Sequence, residues 1–192
     1  MKRSHYVLMS ALLLQTVAPL PPVSGEELAY VGAAKCKICH LKEWKAWSTT
    51  KMSQAFDLLK PGGRLSQKTA AKLDPAKDYT TDTECLPCHV TGYGKPGGFV
   101  SFEKTPNLAG VGCEVCHGPG ETYLKPEHMS LKNKEYKRAD LMKVGLVAQP
   151  TAEVCQGCHN TKSPFVGKDY VFDFKARKDQ GTHEKFPLKY PH

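Results

Sequence analysis

No stretch of about 18 consecutive apolar residues occurs in this chain, so no segment of it reads as a membrane-spanning helix. Apolar residues make up 40% of the 192 positions and aromatic ones 9%, which is little from which to build a side-chain core. Acidic residues are the scarcer charge, 19 against 27 basic ones. The resulting formal +8, taken alone, would suggest a nucleic acid or an acidic surface as partner. Cysteine is also modest: eight residues fall well below the share of roughly 8–10% found in short disulfide scaffolds. The length allows one domain or two small ones.

What is present begins with an address label. Lys2 and Arg3 precede an apolar stretch over residues 7–17 that only Ser10, Gln15 and Thr16 interrupt, and small and turn residues follow through Val23-Ser24-Gly25. Basic, then apolar, then small is the order of a secretory signal peptide. The expected cut after Gly25 makes residues 1–25 a signal peptide and residues 26–192 a single mature domain. Its destination is the periplasm or beyond, where free thiols do not persist.

Every cysteine belongs to one repeated pattern: Cys36-Lys37-Ile38-Cys39-His40, Cys85-Leu86-Pro87-Cys88-His89, Cys113-Glu114-Val115-Cys116-His117 and Cys155-Gln156-Gly157-Cys158-His159. C-x-x-C-H is the attachment site of a c-type haem. Two thiols three positions apart add to the two vinyl groups of one porphyrin edge, and the next histidine reaches the iron. Paired C-x-x-C units also serve zinc ribbons, but a ribbon needs no histidine after every second cysteine. Dithiol redox sites would need a thioredoxin-like strand-turn-helix setting that is missing here. Four covalently bound haem c groups are therefore expected, on cysteines 36, 39, 85, 88, 113, 116, 155 and 158, with His40, His89, His117 and His159 as proximal ligands.

Without the leader, about 42 residues remain for each of four haems, too few for separate modules. The expected fold is mainly α: a small irregular wrap of polypeptide around four closely packed haems, with little strand. Residues 36–60 read as one helix, stopped by Pro61-Gly62-Gly63. Thr81-Asp82-Thr83-Glu84 and Thr151-Ala152-Glu153 read as helix starts carrying the second and fourth motifs. Residues 92–98, with four glycines and a proline, read as a loop or hairpin turn. Tyr170, Phe172 and Phe174 fit a short strand or an aromatic-lined extended segment.

Four six-coordinate haems need eight axial ligands, and the motifs supply half of them. The other mature histidines are His128, His183 and His192, one too few. At least one haem therefore takes another ligand, borrows one from a second molecule, or keeps an open position; Met52, Met129 and Met142 are the candidate sulfurs. In a continuous helix His40 and Met52 lie about 18 Å apart, too far to grip one iron.

The strings KLDPAKDYT (residues 72–80), CLPCHVTGYGKPGG (85–98) and GVGCEVCHGPG (110–120) closely resemble the tetrahaem cytochrome c-554 family of ammonia-oxidising bacteria. The match is looser for the first and fourth motifs. The resemblance implies a mostly helical fold, stacked and perpendicular haem pairs, and electrons received from a hydroxylamine-oxidoreductase-like or other multihaem partner. It implies an open haem at His89, His128 over the haem of His40, and His183 over that of His159. Met52 stands where the family has its third distal histidine, which points to the haem of His117; terminal His192 is the competitor.

The function so read is an exported electron-transfer carrier or relay between redox proteins, with no catalytic residues assigned. Reduction of nitric oxide at the open haem is one alternative, and a subunit of an extracellular haem wire or larger redox complex is another. The charge fits no nucleic-acid partner. Loss of Lys2 and Arg3 removes two positive charges, and four haems with their propionates bring the balance near zero. Many basic residues are then counter-charges for propionates or a docking face.

Overall fold

The computed structural model describes residues 27–188 and 190; the expected signal peptide and His192 lie outside them. Its regular structure is helical and comes in short pieces: α1 (Ala33–Cys36), α2 (Leu41–Ser48), α3 (Leu65–Ala70), α4 (Leu86–His89), α5 (Cys113–His117), α6 (Arg138–Lys143), α7 (Ala152–Gln156) and α8 (Phe174–Arg177). Short 3-10 turns occupy Phe56–Leu59 and Pro106–Leu108. Among the described residues there is no strand, only an isolated antiparallel bridge between Val90 and Ala109. No helix among them is long and apolar enough to cross a membrane. The mainly α, irregular architecture expected from the sequence is the one observed.

One expected element is corrected. Residues 36–60 form not a single helix but α1, α2 and a 3-10 turn. His40 leaves the helical region at φ −106°, ψ 52°. Beyond α2, the hydroxyls of Ser48, Thr49 and Thr50 donate to the carbonyls of Lys45, Ala46 and Trp47, at 2.8, 3.0 and 2.8 Å. Such local bonds compete with the helical ladder, and this polar run offers three in succession. The distance argument that separated His40 from Met52 on a continuous helix therefore lapses.

The other local expectations fare better. Thr151 is the residue before α7, whereas α4 starts at Leu86, a little later than the Thr81–Glu84 run suggested. Residues 92–98 turn back on themselves, with Lys95 and Gly98 amides donating to Gly92 and Lys95 carbonyls. Gly92 has φ +71°, and a Cβ there would meet the Tyr30 ring at 2.6 Å. From Tyr170 the chain is extended rather than a strand, until Asp173 caps α8 by accepting the Ala176 N–H at 3.0 Å.

Side-chain packing is sparse. One cluster joins Phe56, Leu59, Tyr79, Leu86, Val90, Phe99 and Leu108 behind the second motif. A smaller one joins Tyr123, Leu141 and Leu146. The long-range tie between the chain's ends of this shell is polar. Glu114, the residue after Cys113, is 2% exposed. Its carboxylate accepts the N–H groups of Val31 and Gly120 on Oε1 at 2.9 and 2.7 Å, and of Gly32 on Oε2 at 2.7 Å. It thereby pins the strand of chain entering α1 and the Gly-Pro-Gly turn after α5 to a single point. Trp47 adds a second tie, its indole N–H donating to the Val111 carbonyl at 2.9 Å.

Glu114→Ala leaves three amides without their acceptor, and the expected cost is about 3 kcal/mol or more. A denaturant midpoint equal to the wild type's would contradict the clasp.

Candidate functional site

Each motif sits where a short helix delivers its cysteines and histidine together. α4 and α5 end on His89 and His117, while Cys36 closes α1 and Cys155 lies in α7. All eight thiols are free of disulfides. Among the described residues no three His, Cys, Asp or Glu side chains gather as a metal-holding group. The thiols meet instead in pairs from different motifs. Cys36 is pushed up and Cys113 down by the hydrogen bond between them. Across the second and fourth motifs, the bond to Cys158 lowers Cys88 to about 7 and raises Cys158 itself. The helix of the third motif, α5, packs against α1 of the first and also against α7 of the fourth.

The histidines carry the clearest geometry. His89 Nδ1 lies 2.6 Å from the Ala55 carbonyl and His117 Nδ1 lies 3.0 Å from the Val147 carbonyl. A carbonyl only accepts, so each Nδ1 carries the proton and each Nε2 keeps its lone pair. This bond fixes the ring and raises its basicity as a metal ligand. Burial, more than the nearby Lys68 charge, lowers the His89 pKa. His183 shares the pattern, donating from Nδ1 to the Glu184 carbonyl at 2.7 Å. Its ring centroid is 6.3 Å from that of His117. Two imidazoles bonded at about 2 Å to opposite sides of one metal place their centroids roughly 6 Å apart. The ring of His183 thus lies beside that of His117, whereas family resemblance implies a pairing with His159.

His159 has a different setting. Phe172 stacks on it at 4.6 Å and 19°, and the Arg177 guanidinium covers Phe172 at 5.5 Å. Burial and then the Arg177 charge lower the pKa of this ring. His40 Nδ1 lies 4.0 Å from the Glu43 carboxylate. His128 is half-buried in a turn where its carbonyl accepts from the Asn133 side chain at 3.2 Å. Met52 is half-buried, and its carbonyl takes the Val111 N–H at 2.9 Å, which sets it beside the segment leading into Cys113. Of the other candidate sulfurs, Met129 packs on the Tyr123 cluster and Met142 is 54% exposed.

Three motifs border one cleft of about 210 Å³, lined by Pro87, Val115, Gly157 and Cys158 together with Tyr30 and Tyr93. Thiols without disulfides, imidazoles whose Nδ1 bonds leave Nε2 as the nitrogen with a lone pair, and a cleft walled by the motifs themselves fit a c-type haem. Sequence reading identified these cysteines and histidines. It missed Glu114, Lys68 and Arg177, and it singled out Phe172 without its partner His159, because these roles arise from contacts across the fold. The only local hint was the position of Glu114 inside its motif.

Comparison with known proteins agrees with this chemistry. The family described as cytochrome c554 and c-prime matches residues 35–118. Cytochrome c-554 of Nitrosomonas europaea is 34% identical over 208 residues, covering 95% of this chain and 88% of that protein. The structure of the reduced state of cytochrome c554 from Nitrosomonas europaea superposes with a TM-score of 0.74, covering 85% of this chain and 89% of that one.

Gly118 follows His117 at φ +79°, and a Cβ there would meet the Gly145 carbonyl at 2.3 Å, two residues before the Val147 carbonyl that holds the His117 ring. Gly118→Ala should cost about 2 kcal/mol or more through strain and displacement. An unshifted thermal midpoint would show that the loop tolerates the side chain.

Proposed function

The chain belongs to the cytochrome c-554 family of haem c electron-transfer cytochromes, and from that premise we propose that it is an exported four-haem carrier relaying electrons between redox proteins. The observation that carries this reading is that every cysteine belongs to one of four C-x-x-C-H motifs and that residues of three of these motifs wall one cleft. A bound haem supplies one-electron chemistry at its iron. The chain's part is to fix ligands and surroundings.

The cysteines 36 and 39, 85 and 88, 113 and 116, and 155 and 158 are assigned as the four pairs of thioether anchors. His40, His89, His117 and His159 are the proximal ligands. His128 is assigned opposite His40 and His183 opposite His117, the latter supported by the 6.3 Å ring separation. Met52 then remains for the haem of His159 rather than that of His117, and His89 has an open partner position. Residues 1–25 direct export to the periplasm. Exposed lysines provide the face on which a multihaem donor or acceptor docks.

The expected electron paramagnetic resonance spectrum of the oxidised protein has one high-spin centre, two bis-histidine low-spin centres and one His/Met centre. His183→Ala should convert one bis-histidine signal to high spin, and Met52→Ala should abolish the near-infrared His/Met band. Four indistinguishable low-spin centres would contradict the assignment. The reduced protein, mixed anaerobically with nitric oxide, should remain reduced if it is a carrier alone. Rapid oxidation would favour nitrogen-oxide chemistry at His89.

A further inference from the structure

Buried charge is distributed unevenly between the two sets of motifs. On the side of Cys36 and Cys113 lies the Glu114 carboxylate, 2% exposed and held by three backbone N–H groups. Its negative charge reaches Cys36, Cys113 and Tyr123. On the side of Cys88 and Cys158 the buried charge is a cation. Lys68 on α3 is 4% exposed. Its ammonium donates to the Lys60 carbonyl at 2.9 Å and lies 5.1 Å from the centre of the Tyr79 ring. Among the described residues no carboxylate comes within 4.0 Å of it.

Lys68 stands behind the proximal side of His89, because Tyr79 is hydrogen-bonded to Leu59, four residues past the Ala55 carbonyl that holds the His89 ring. Two further cations on the same side, Arg177 behind Phe172 and His159 and Lys162 near Cys88, are exposed, so water screens them. Asp82 and Glu84 face Cys85 from the same side. Both lie nearer solvent, however, and Asp82 is 3.8 Å from Lys77, so water and a counter-charge weaken them.

We infer that these opposite buried charges hold the haems beside them at different reduction potentials: Glu114 lowers the first and third haems, while Lys68 raises the second. The inference rests on the four-haem reading above. An added electron is favoured beside a buried cation and disfavoured beside a buried carboxylate, and low local dielectric makes each effect larger than at the surface. Electrons entering at the His40 and His117 haems would therefore run downhill to the His89 haem. Each transfer oxidises one ferrous iron and reduces one ferric iron, with no proton or third reactant. Glu114 and Lys68 act as positioning residues for charge, without touching iron.

The test is a potentiometric titration of the holoprotein followed by optical and electron paramagnetic resonance spectra. The high-spin centre of His89 should be reduced before the bis-histidine centre of His117. Glu114→Gln should raise the ferrous-to-ferric ratio of the His117 centre about tenfold at fixed ambient potential, a shift of about 59 mV, and leave the high-spin midpoint nearly unmoved. Lys68→Met should lower the high-spin midpoint and spare the His117 centre. Should the glutamine variant fail to fold, the wild-type order and the methionine variant decide. A high-spin centre reduced last, or equal shifts at all centres, overturns the inference. Haem content measured on the same samples keeps the two readings apart: fewer than four haems defeats the carrier assignment, whereas four haems with unmoved midpoints defeats the charge asymmetry alone.

Discussion

Two sulfurs and an imidazole drawn from five consecutive residues have to reach the rim and the centre of the same flat ring. In the four-haem reading proposed above that demand is made four times in one short chain, and it governs the rest of the structure. It explains why the helices are short: α1, α4, α5 and α7 are little more than the single turn that places each motif. Side chains alone leave two separate small clusters, one around Phe56 and Phe99 and one around Tyr123 and Leu141. The remaining apolar contact is what porphyrins supply. A sequence with 40% apolar residues is then no longer poor in core, because much of the core is not encoded as amino acids.

The polar contacts do the aligning. Nδ1 of His89, His117 and His183 each donates to a main-chain carbonyl, from Ala55, Val147 and Glu184. The Ala55 and Val147 carbonyls come from parts of the chain remote from His89 and His117, so the tautomer and the tilt of those two rings depend on the path of the irregular segments. Glu114 fixes that path where the first and third motifs meet. Its buried carboxylate is costly unless both oxygens are hydrogen-bonded, and the Val31 and Gly120 amides on Oε1 and the Gly32 amide on Oε2 do this. The same group supplies the negative end of the internal charge asymmetry, so one residue links packing with redox tuning.

Much of this was legible in the sequence because covalent chemistry has a rigid spacing. The four C-x-x-C-H motifs, the helical class and the turn at residues 92–98 follow from local patterns that tertiary structure leaves intact. The continuous helix over residues 36–60 did not survive, since periodicity registers Trp44, Trp47 and Leu58 but not the competition from Ser48, Thr49 and Thr50 for main-chain carbonyls. Ligand pairing was the least legible part. His183 follows the fourth motif closely in sequence yet faces His117 in space, a matter of how the C-terminal segment returns across the molecule. Phe172 and Arg177 likewise gain meaning only once Phe172 stacks on His159 and Arg177 covers Phe172.

The central claim is that the eight cysteines are four pairs of haem anchors and that these haems complete the core. An intact mass spectrum of the exported protein under denaturing conditions, combined with a thiol count, tests it most directly. The account predicts the mass of residues 26–192 plus four haems, with no titratable thiol. Fewer haems accompanied by free thiols or disulfides would contradict it.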